Sequence, residues 1–201
     1  MIHSKLPDIG TSIFSVMSRL AKDHNAIDLS QGFPDFHCSE ILIGLVSKYM
    51  KKGFNQYAPM EGVMPLREVI AQKTEELYSY KCDPDKEITI TSGATQALFT
   101  AISSMVSEND EVIVFEPAYE SYVPCIKLNG GRPVFVQLKP PYYQINWDEV
   151  QKIINARTRL IILNSPHNPT GSIFSAHDLE KLQKITSGTN IVVISDEVYE
   201  H

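Results

Sequence analysis

The sequence predicts an α/β fold in which helices cover both faces of a mostly parallel sheet. Short runs rich in β-branched or aromatic residues alternate along the chain with stretches whose apolar residues have helical spacing. Breaks containing glycine, proline or charged residues separate them. With 201 residues, of which 43% are hydrophobic, the chain is long enough to bury one sizeable core.

The predicted elements follow one another with short connections. Five runs are predicted to be strands: 88–91, 112–115, 133–136, 160–163 and 191–194. Five stretches are predicted to be helices: 39–52, 65–80, 94–106, 147–154 and 175–185. Ser39 is predicted to cap the first helix and Pro65 to open the second, while Ser175 and Asp178 fit a capping box.

The order of the elements predicts how the chain is divided. We expect residues 1–38 to form an N-terminal arm and the start of a small domain, and residues 39–201 to form a large domain. The pair Pro140 and Pro141 indicates a local break, because strand and helix patterns resume directly after it. A second, separate α+β unit is lacking, so we expect a fold that is incomplete at its carboxyl end.

Composition limits the partners. A formal net charge of −6 gives no electrostatic reason to expect nucleic acid or an anionic membrane surface as a partner. No apolar run approaches the ~18 residues of a membrane span, and the first residues do not resemble a signal peptide. The three cysteines have no metal-ligand spacing and are odd in number. We therefore expect a reducing compartment, most simply the cytoplasm.

Polar residues follow two predicted strands at the point where each ends. Asn168 lies in a proline-rich loop after 160–163, and Asp196 and Tyr199 follow 191–194. Ligands of open α/β sheets bind outside these carboxyl ends. A protonated pyridine nitrogen needs a fixed carboxylate, and a phenolate oxygen needs hydrogen-bond donors, so the three side chains suit pyridoxal phosphate.

Asp196 also has other interpretations. A carboxylate directly after an apolar strand is costly unless it meets a cation or several donors. It could instead cap the following segment, or bind a metal together with His167 and His201. The metal interpretation is weak, because the residues around His167 lack ligand spacing.

Two further segments suit a phosphate and an aromatic ring. Residues 91–97 place small residues at a strand-to-helix turn, where backbone N–H groups and the helix dipole favour an anion, although an ordinary capped turn has the same pattern. Tyr119 follows the strand 112–115. Its ring could stack on a pyridine ring or lie half-buried in the core.

These motifs, together with residues 29–36 and 55–62, resemble the class I and II aminotransferases, the pyridoxal phosphate enzymes of fold type I. The resemblance extends from about residue 9 to residue 201, with six separated motifs in the family's order. Residues 11–14, 31–36 and 55–62 look closest to the methionine and kynurenine (glutamine) aminotransferases. The resemblance therefore implies an N-terminal fragment of such an enzyme, with 39–201 as a truncated cofactor-binding domain.

The resemblance also implies a set of site residues. Those implied for the cofactor are Ala94, Thr95, Tyr119, Asn168, Asp196, Tyr199 and, from the partner subunit, Tyr57. Those implied for the substrate are Gly32, Asn168 and Phe14. The lysine that forms the Schiff base is expected beyond His201, so no catalytic residue is expected within the chain. A site shared between subunits implies a homodimer.

The function implied is transfer of an amino group from an amino acid, with methionine or aromatic amino acids favoured, to a 2-oxo acid. Two alternatives stay open. A pyridoxal phosphate carbon–sulfur β-lyase shares the same cofactor site. A non-catalytic ligand-binding or regulatory domain would suit the missing lysine if His201 were the true terminus. A dinucleotide-binding dehydrogenase is not expected, because no GxGxxG motif follows a strand.

Overall fold

The computed structural model describes residues 3–32 and 34–200. The chain divides into two compact units, one formed by Met1–Gly10 with Ser92–His201 and the other by Thr11–Thr91. The helices are α1 Ile13–Asp23, α2 Glu40–Lys51, α3 Met64–Tyr78, α4 Ala94–Met105, α5 Tyr122–Leu128, α6 Trp147–Ile153 and α7 Ala176–Thr186. The strands are β1 Glu111–Glu116, β2 Arg132–Gln137, β3 Thr158–Asn164 and β4 Val192–Asp196.

The strands of the first unit form one sheet in the order β2-β1-β3-β4, and every neighbouring pair is parallel. The predicted parallel sheet is thus confirmed for these four runs. β4 ends two residues later than predicted, so Asp196 is its last residue. It pairs there with Asn164, the last residue of β3.

Helices cover both faces of this sheet, as predicted. On one face Val112 and Val114 of β1 pack with α4 and α5, and on the other Ile113 and Phe115 pack with α6 and α7. Successive residues of a strand point to opposite faces, which explains why β1 is apolar without interruption. Ile161 of β3 is fully buried, which stabilises the fold by roughly 1.5–3 kcal/mol.

The connections of the sheet change direction between β1 and β3. The chain leaves β1 through α5 on one face to reach β2, and then returns through α6 on the opposite face to β3. This reversal creates a crevice outside the carboxyl ends of β1 and β3, where open α/β sheets bind their ligands.

Two helices were not predicted. α1 lies in the stretch interpreted as an irregular arm, where Ser12 caps it by accepting the Phe14 N–H. α5 has only seven residues and contains Pro124, so it is too short for its apolar spacing to stand out. The capping box of Ser175 and Asp178 is confirmed, whereas Ser39 precedes α2 without a side-chain cap.

The second unit contains α1, α2 and α3. The prediction of a strand at 88–91 is wrong. Within the described residues of this unit no strand is present. The N–H of Ile90 donates instead to the carbonyl of Glu61, at 2.9 Å. A side chain on Gly62 would collide with Ile90, which explains a glycine at this point of contact. The β-branched residues of 88–91 thus pack against a loop, because a strand forms only beside a partner strand.

None of the helices in the part of the chain that the structure describes has the length and apolar character needed to cross a membrane.

Candidate functional site

A cavity of about 210 Å³ lies in the first unit, at the carboxyl edge of the sheet. Its lining comes from the start of α4, the loops after β1 and β3, and the end of β4. The lining residues are Ala94, Thr95, Leu98, Tyr119, Asn164, Asn168, Asp196, Val198 and Tyr199. The structure thus gathers all six of the residues of this unit predicted to bind a cofactor.

Asp196 contributes a buried carboxylate to this cavity. The residue is 8% exposed. Its Oδ2 accepts the hydroxyl of Tyr122 at 2.6 Å, and its Oδ1 accepts the N–H of Val198 at 3.2 Å. None of the ion pairs among the described residues includes it. Two neutral donors therefore hold a buried negative charge that still lacks a cation.

Tyr122 lies beneath this carboxylate on α5 and is 3% exposed. Burial raises the pKa of its phenol, and the hydrogen bond to Asp196 raises that pKa further. The phenol consequently keeps its proton at neutral pH. Tyr122 acts as a fixed donor toward Asp196 rather than as a base.

Asn164 joins the ends of the two strands that present Asn168 and Asp196. Its Nδ2 donates to the backbone carbonyl of Asp196 at 2.9 Å, and its Oδ1 accepts the N–H of Asn168 at 2.7 Å. At 4% exposure the amide is buried and both of its ends have partners.

Asn168 and Tyr199 lie side by side in the lining of the cavity. The Nδ2 of Asn168 lies 3.5 Å from the hydroxyl of Tyr199, which is at the limit of a hydrogen bond. Tyr199 is 52% exposed. Because this contact is weak, both groups can turn toward an oxygen atom of a ligand at little cost.

The opposite wall is formed by Tyr119 and Thr95. The two hydroxyl groups lie 3.3 Å apart. The ring of Tyr119 packs edge-on against that of Tyr122, with centroids 5.7 Å apart and an interplanar angle of 77°. Tyr119 is half-buried, so one part of its ring is fixed by the core while the remainder lines the cavity.

The amino end of α4 opens onto the same cavity through Ala94 and Thr95. Gly93 caps this helix with a φ of 82°, a left-handed conformation that favours glycine. The N–H groups of a first helical turn have no acceptor within the helix, and the helix dipole makes this end positive. The side chain of Gln96 turns back to accept the N–H of Ser92 at 2.5 Å. Because the first N–H groups of α4 have no acceptor within the helix and this helix end is positive, the turn can receive an anion.

His167 organises the loop that carries Asn168. Its Nδ1 lies 2.7 Å from the hydroxyl of Thr170, its N–H donates to the carbonyl of Ser172, and its carbonyl accepts the N–H of Gly171. Burial lowers the pKa of its imidazole, while a hydrogen bond to the backbone of Pro117 opposes that shift. The ring is therefore a neutral structural element at pH 7.

The other three predicted residues lie in the second unit. Tyr57 is wholly exposed, Gly32 is exposed with open space around its Cα, and Phe14 is half-buried on α1. The roles implied for them toward a cofactor and a substrate stay predictions.

Within the described ranges, no group of three His, Cys, Asp or Glu residues is placed to hold a metal ion. His201, one of the residues considered for a metal site, lies outside the described residues. The other histidine of that hypothesis is His167, and its Nδ1 is hydrogen-bonded to the hydroxyl of Thr170.

A family match identifies the class of protein to which this chain belongs. The chain matches the family model "Aminotransferase class I and II" over residues 24–201. The chain belongs to the class I and II aminotransferases. Members of this family depend on pyridoxal phosphate, and the predicted family is confirmed.

Individual aminotransferases give the same result. The chain is 51% identical to the methionine aminotransferase of Escherichia coli, over 99% of this chain and 52% of the relative. It is 36% identical to human kynurenine–oxoglutarate transaminase 1, over 90% of this chain and 46% of that protein. The chain thus spans about half the length of the curated relatives it matches.

A solved structure agrees. An Escherichia coli protein identified as having a methionine aminotransferase function superimposes with a TM-score of 0.97, at 50% identity, over 100% of this chain and 53% of that one. The predicted fold type I aminotransferase fold is confirmed by this match.

The cavity of this aminotransferase chain suits the family's cofactor. A buried carboxylate without a cation suits a protonated ring nitrogen, and the amino end of α4 suits a phosphate. Asn168 and Tyr199 offer donors for the phenolate oxygen, and Tyr119 offers an aromatic face. The ring nitrogen, the phenolate oxygen, the ring face and the phosphate thus each have a matching group in one cavity.

Two residues of this site were missed from the sequence. Tyr122 is three residues after Tyr119, and Asn164 ends the apolar run of β3. A polar residue closing an apolar strand was a usable signal for Asn164. For Tyr122 no local signal existed, because its partner Asp196 is 74 residues away.

Proposed function

We propose that the chain forms part of a pyridoxal phosphate-dependent aminotransferase that moves an amino group from an amino acid to a 2-oxo acid. The observation that carries this proposal is the buried carboxylate of Asp196, which lies without a cation in a cavity of a class I and II aminotransferase chain. Methionine and aromatic amino acids are the proposed donors, supported by the names of the Escherichia coli and human relatives.

The first unit would hold the cofactor through four contacts. Ala94 and Thr95 would bind the phosphate through backbone N–H groups and a hydroxyl. Asp196 would pair with the ring nitrogen, and Asn168 with Tyr199 would donate to the phenolate oxygen. When bound, pyridoxal phosphate supplies an electron sink for charge that develops at the substrate's Cα.

The residues around Asp196 fix its charge and direction. Tyr122 donates to Oδ2, so the carboxylate is oriented before any ligand arrives. Val198 donates its N–H to Oδ1 from the next turn of the chain. A carboxylate oriented in this way favours a proton on a nitrogen facing it. The protein thereby keeps that proton in place without moving a side chain.

The aromatic wall would orient the ring and exclude water. Tyr119 would stack on the ring face, and its packing against Tyr122 keeps it in place. Leu98 lines the same cavity and is 5% exposed, so it adds an apolar surface to the cavity wall. A drier cavity strengthens the attraction between Asp196 and a cation.

Residues of the second unit are proposed to complete the site. Gly32 and Phe14, together with Asn168, would contact the substrate, and Tyr57 would reach the cofactor phosphate of the other subunit in a homodimer. The full exposure of Tyr57 supports this role, because a free phenol is available to a partner. We further propose that the family's lysine is supplied from outside these 201 residues, since the chain spans 52% of the Escherichia coli relative.

The cytoplasm is the proposed location. Cys38, Cys82 and Cys125 are all free thiols. Free thiols are the usual state of cysteine in a reducing compartment.

The test uses the protein purified from its native source. We expect borohydride reduction with pyridoxal phosphate to label one lysine, and the denatured intact mass to exceed that of the 201 residues. We expect the amino group of methionine to be transferred to a 2-oxo acid, with methionine converted to its own 2-oxo acid and no ammonia released. Release of ammonia and a thiol from a cysteine S-conjugate, which unlike methionine carries its sulfur on Cβ, would indicate the β-lyase instead. A matching mass with no adduct would indicate a non-catalytic domain.

A further inference from the structure

Asn164, the last residue of β3, connects the backbone of Asn168 in the following loop with the backbone of Asp196 at the end of β4. It donates to the carbonyl of Asp196 and accepts the N–H of Asn168, at 2.9 and 2.7 Å. Because it is buried, water cannot readily replace either partner. In addition to the pairing of β3 with β4, Asn164 therefore links the backbone of Asn168 directly to that of Asp196 through one side chain.

Few backbone N–H groups of the loop after β3 are available to bond to the carboxyl edge of the sheet. Pro166 and Pro169 lack backbone N–H groups and cannot donate. The N–H of Ser165 donates to the carbonyl of Asp196 at 3.1 Å, which continues the pairing of β3 with β4. The next backbone N–H after Ser165 that bonds to a residue of the sheet is that of Asn168, which donates to Oδ1 of Asn164.

We infer that Asn164 is a positioning residue that holds Asn168 in register with Asp196, and thereby sets how tightly and in which orientation the cavity holds pyridoxal phosphate. The identity of the ligand rests on the proposed function. The positioning itself is a property of the chain without a ligand.

Two variants separate the two hydrogen bonds. Asn164→Asp keeps an acceptor for the N–H of Asn168 but has no N–H for the carbonyl of Asp196. Asn164→Ala keeps neither. Asn155→Ala is the matched control, because Asn155 precedes β3 at its opposite end and donates to Glu111 at 2.7 Å.

The first experiment measures amide hydrogen exchange of the chain without ligand. We expect protection of the Asn168 N–H to fall about tenfold in Asn164→Ala, which corresponds to the loss of one hydrogen bond of ~1.4 kcal/mol. Protection should persist in Asn164→Asp and in Asn155→Ala. Unchanged protection in Asn164→Ala would overturn the inference.

The second experiment titrates the chain with pyridoxal phosphate and records its fluorescence and induced circular dichroism. We expect Asn164→Ala to bind about tenfold more weakly with an altered dichroic band, and Asn164→Asp to bind about threefold more weakly. Asn155→Ala should lower the free energy of unfolding in urea without changing the affinity or the band.

The outcomes separate this inference from the proposed function. Equal losses of affinity in Asn164→Ala and Asn155→Ala would mean that stability alone is responsible, which would overturn the positioning role. If Asn164→Ala does not fold, an affinity and dichroic band of Asn164→Asp identical to the original chain would overturn it as well. If the unchanged chain binds no pyridoxal phosphate, the proposed function fails, and the exchange experiment still decides the role of Asn164.

Discussion

The hydroxyl of Tyr122 donates a 2.6 Å hydrogen bond to Oδ2 of Asp196, and both side chains are buried. Tyr122 begins α5, whereas Asp196 ends β4, so the bond ties a helix on one face to the carboxyl edge of the sheet. The carboxylate is thus oriented by the fold before a ligand binds. This is the geometry that electrostatic preorganisation requires.

Tyr122→Phe should destabilise the chain, because it removes a donor from a buried carboxylate. We expect the free energy of unfolding in urea to fall by about 1.5–3 kcal/mol, the range for a hydrogen bond to a charged group. Tyr199→Phe is the control. Its hydroxyl is half-exposed and makes only a 3.5 Å contact, so little change is expected. Equal effects of the two variants would contradict this account of Tyr122.

The ion pair between the buried Glu111 and the exposed Arg157, at the opposite end of the strands, should make the chain sensitive to acid. Hydrogen bonds from Asn155 and Arg157 hold the pKa of Glu111 below its ordinary value of 4.5. A lowered pKa contributes stability above the unfolded value, and this stability is lost as the pH falls through the folded value.

Urea unfolding at a series of pH values below 4.5 checks this effect. We expect Glu111→Gln to be less stable than the original chain at neutral pH and to have a shallower loss of stability in acid. The exposed Glu180→Gln should preserve both the stability and the slope. An equally steep loss of stability in Glu111→Gln and in the original chain would contradict the role given to Glu111.

The buried His167 should make the stability of the chain depend on pH in a second, higher range of pH. Its buried imidazole has a pKa below the ordinary 6.5, so the folded chain favours the neutral ring. Stability should therefore decline as the pH falls from 6.5 toward the folded value, because the unfolded chain takes up the proton first. An NMR titration of the ring measures this directly. A midpoint for His167 at or above 6.5 would contradict the prediction.

The strands of the sheet could be predicted from the sequence because each one is marked by a short apolar run of consecutive residues. Residues 112–115 of β1 and 160–163 of β3 are apolar without interruption, which is typical of a parallel strand buried on both faces. The run 88–91 is also rich in β-branched residues, yet it lies against Glu61 and Gly62. The composition of a segment indicates its preference for a strand. Whether a strand forms depends on a partner strand, which can come from a distant part of the sequence.

The site was predictable where each residue follows a strand. Asn168, Asp196 and Tyr119 all lie at carboxyl ends, and parallel strands bring those ends together. The support beneath them was not predictable, because Tyr122 meets Asp196 only through the crossover order of the sheet. Sequence patterns thus identified residues that line the cavity but not Tyr122, which orients one of them.

The affinity of the chain for pyridoxal phosphate, compared between the original sequence and Asp196→Asn, tests the central claim most directly. Asparagine keeps an acceptor for Tyr122 but carries no charge. We expect the dissociation constant to rise about tenfold or more, equivalent to ~1.4 kcal/mol, while the free energy of unfolding does not fall, because a buried charge without a cation is removed. Equal affinities of the two proteins would contradict the claim that Asp196 holds a protonated ring.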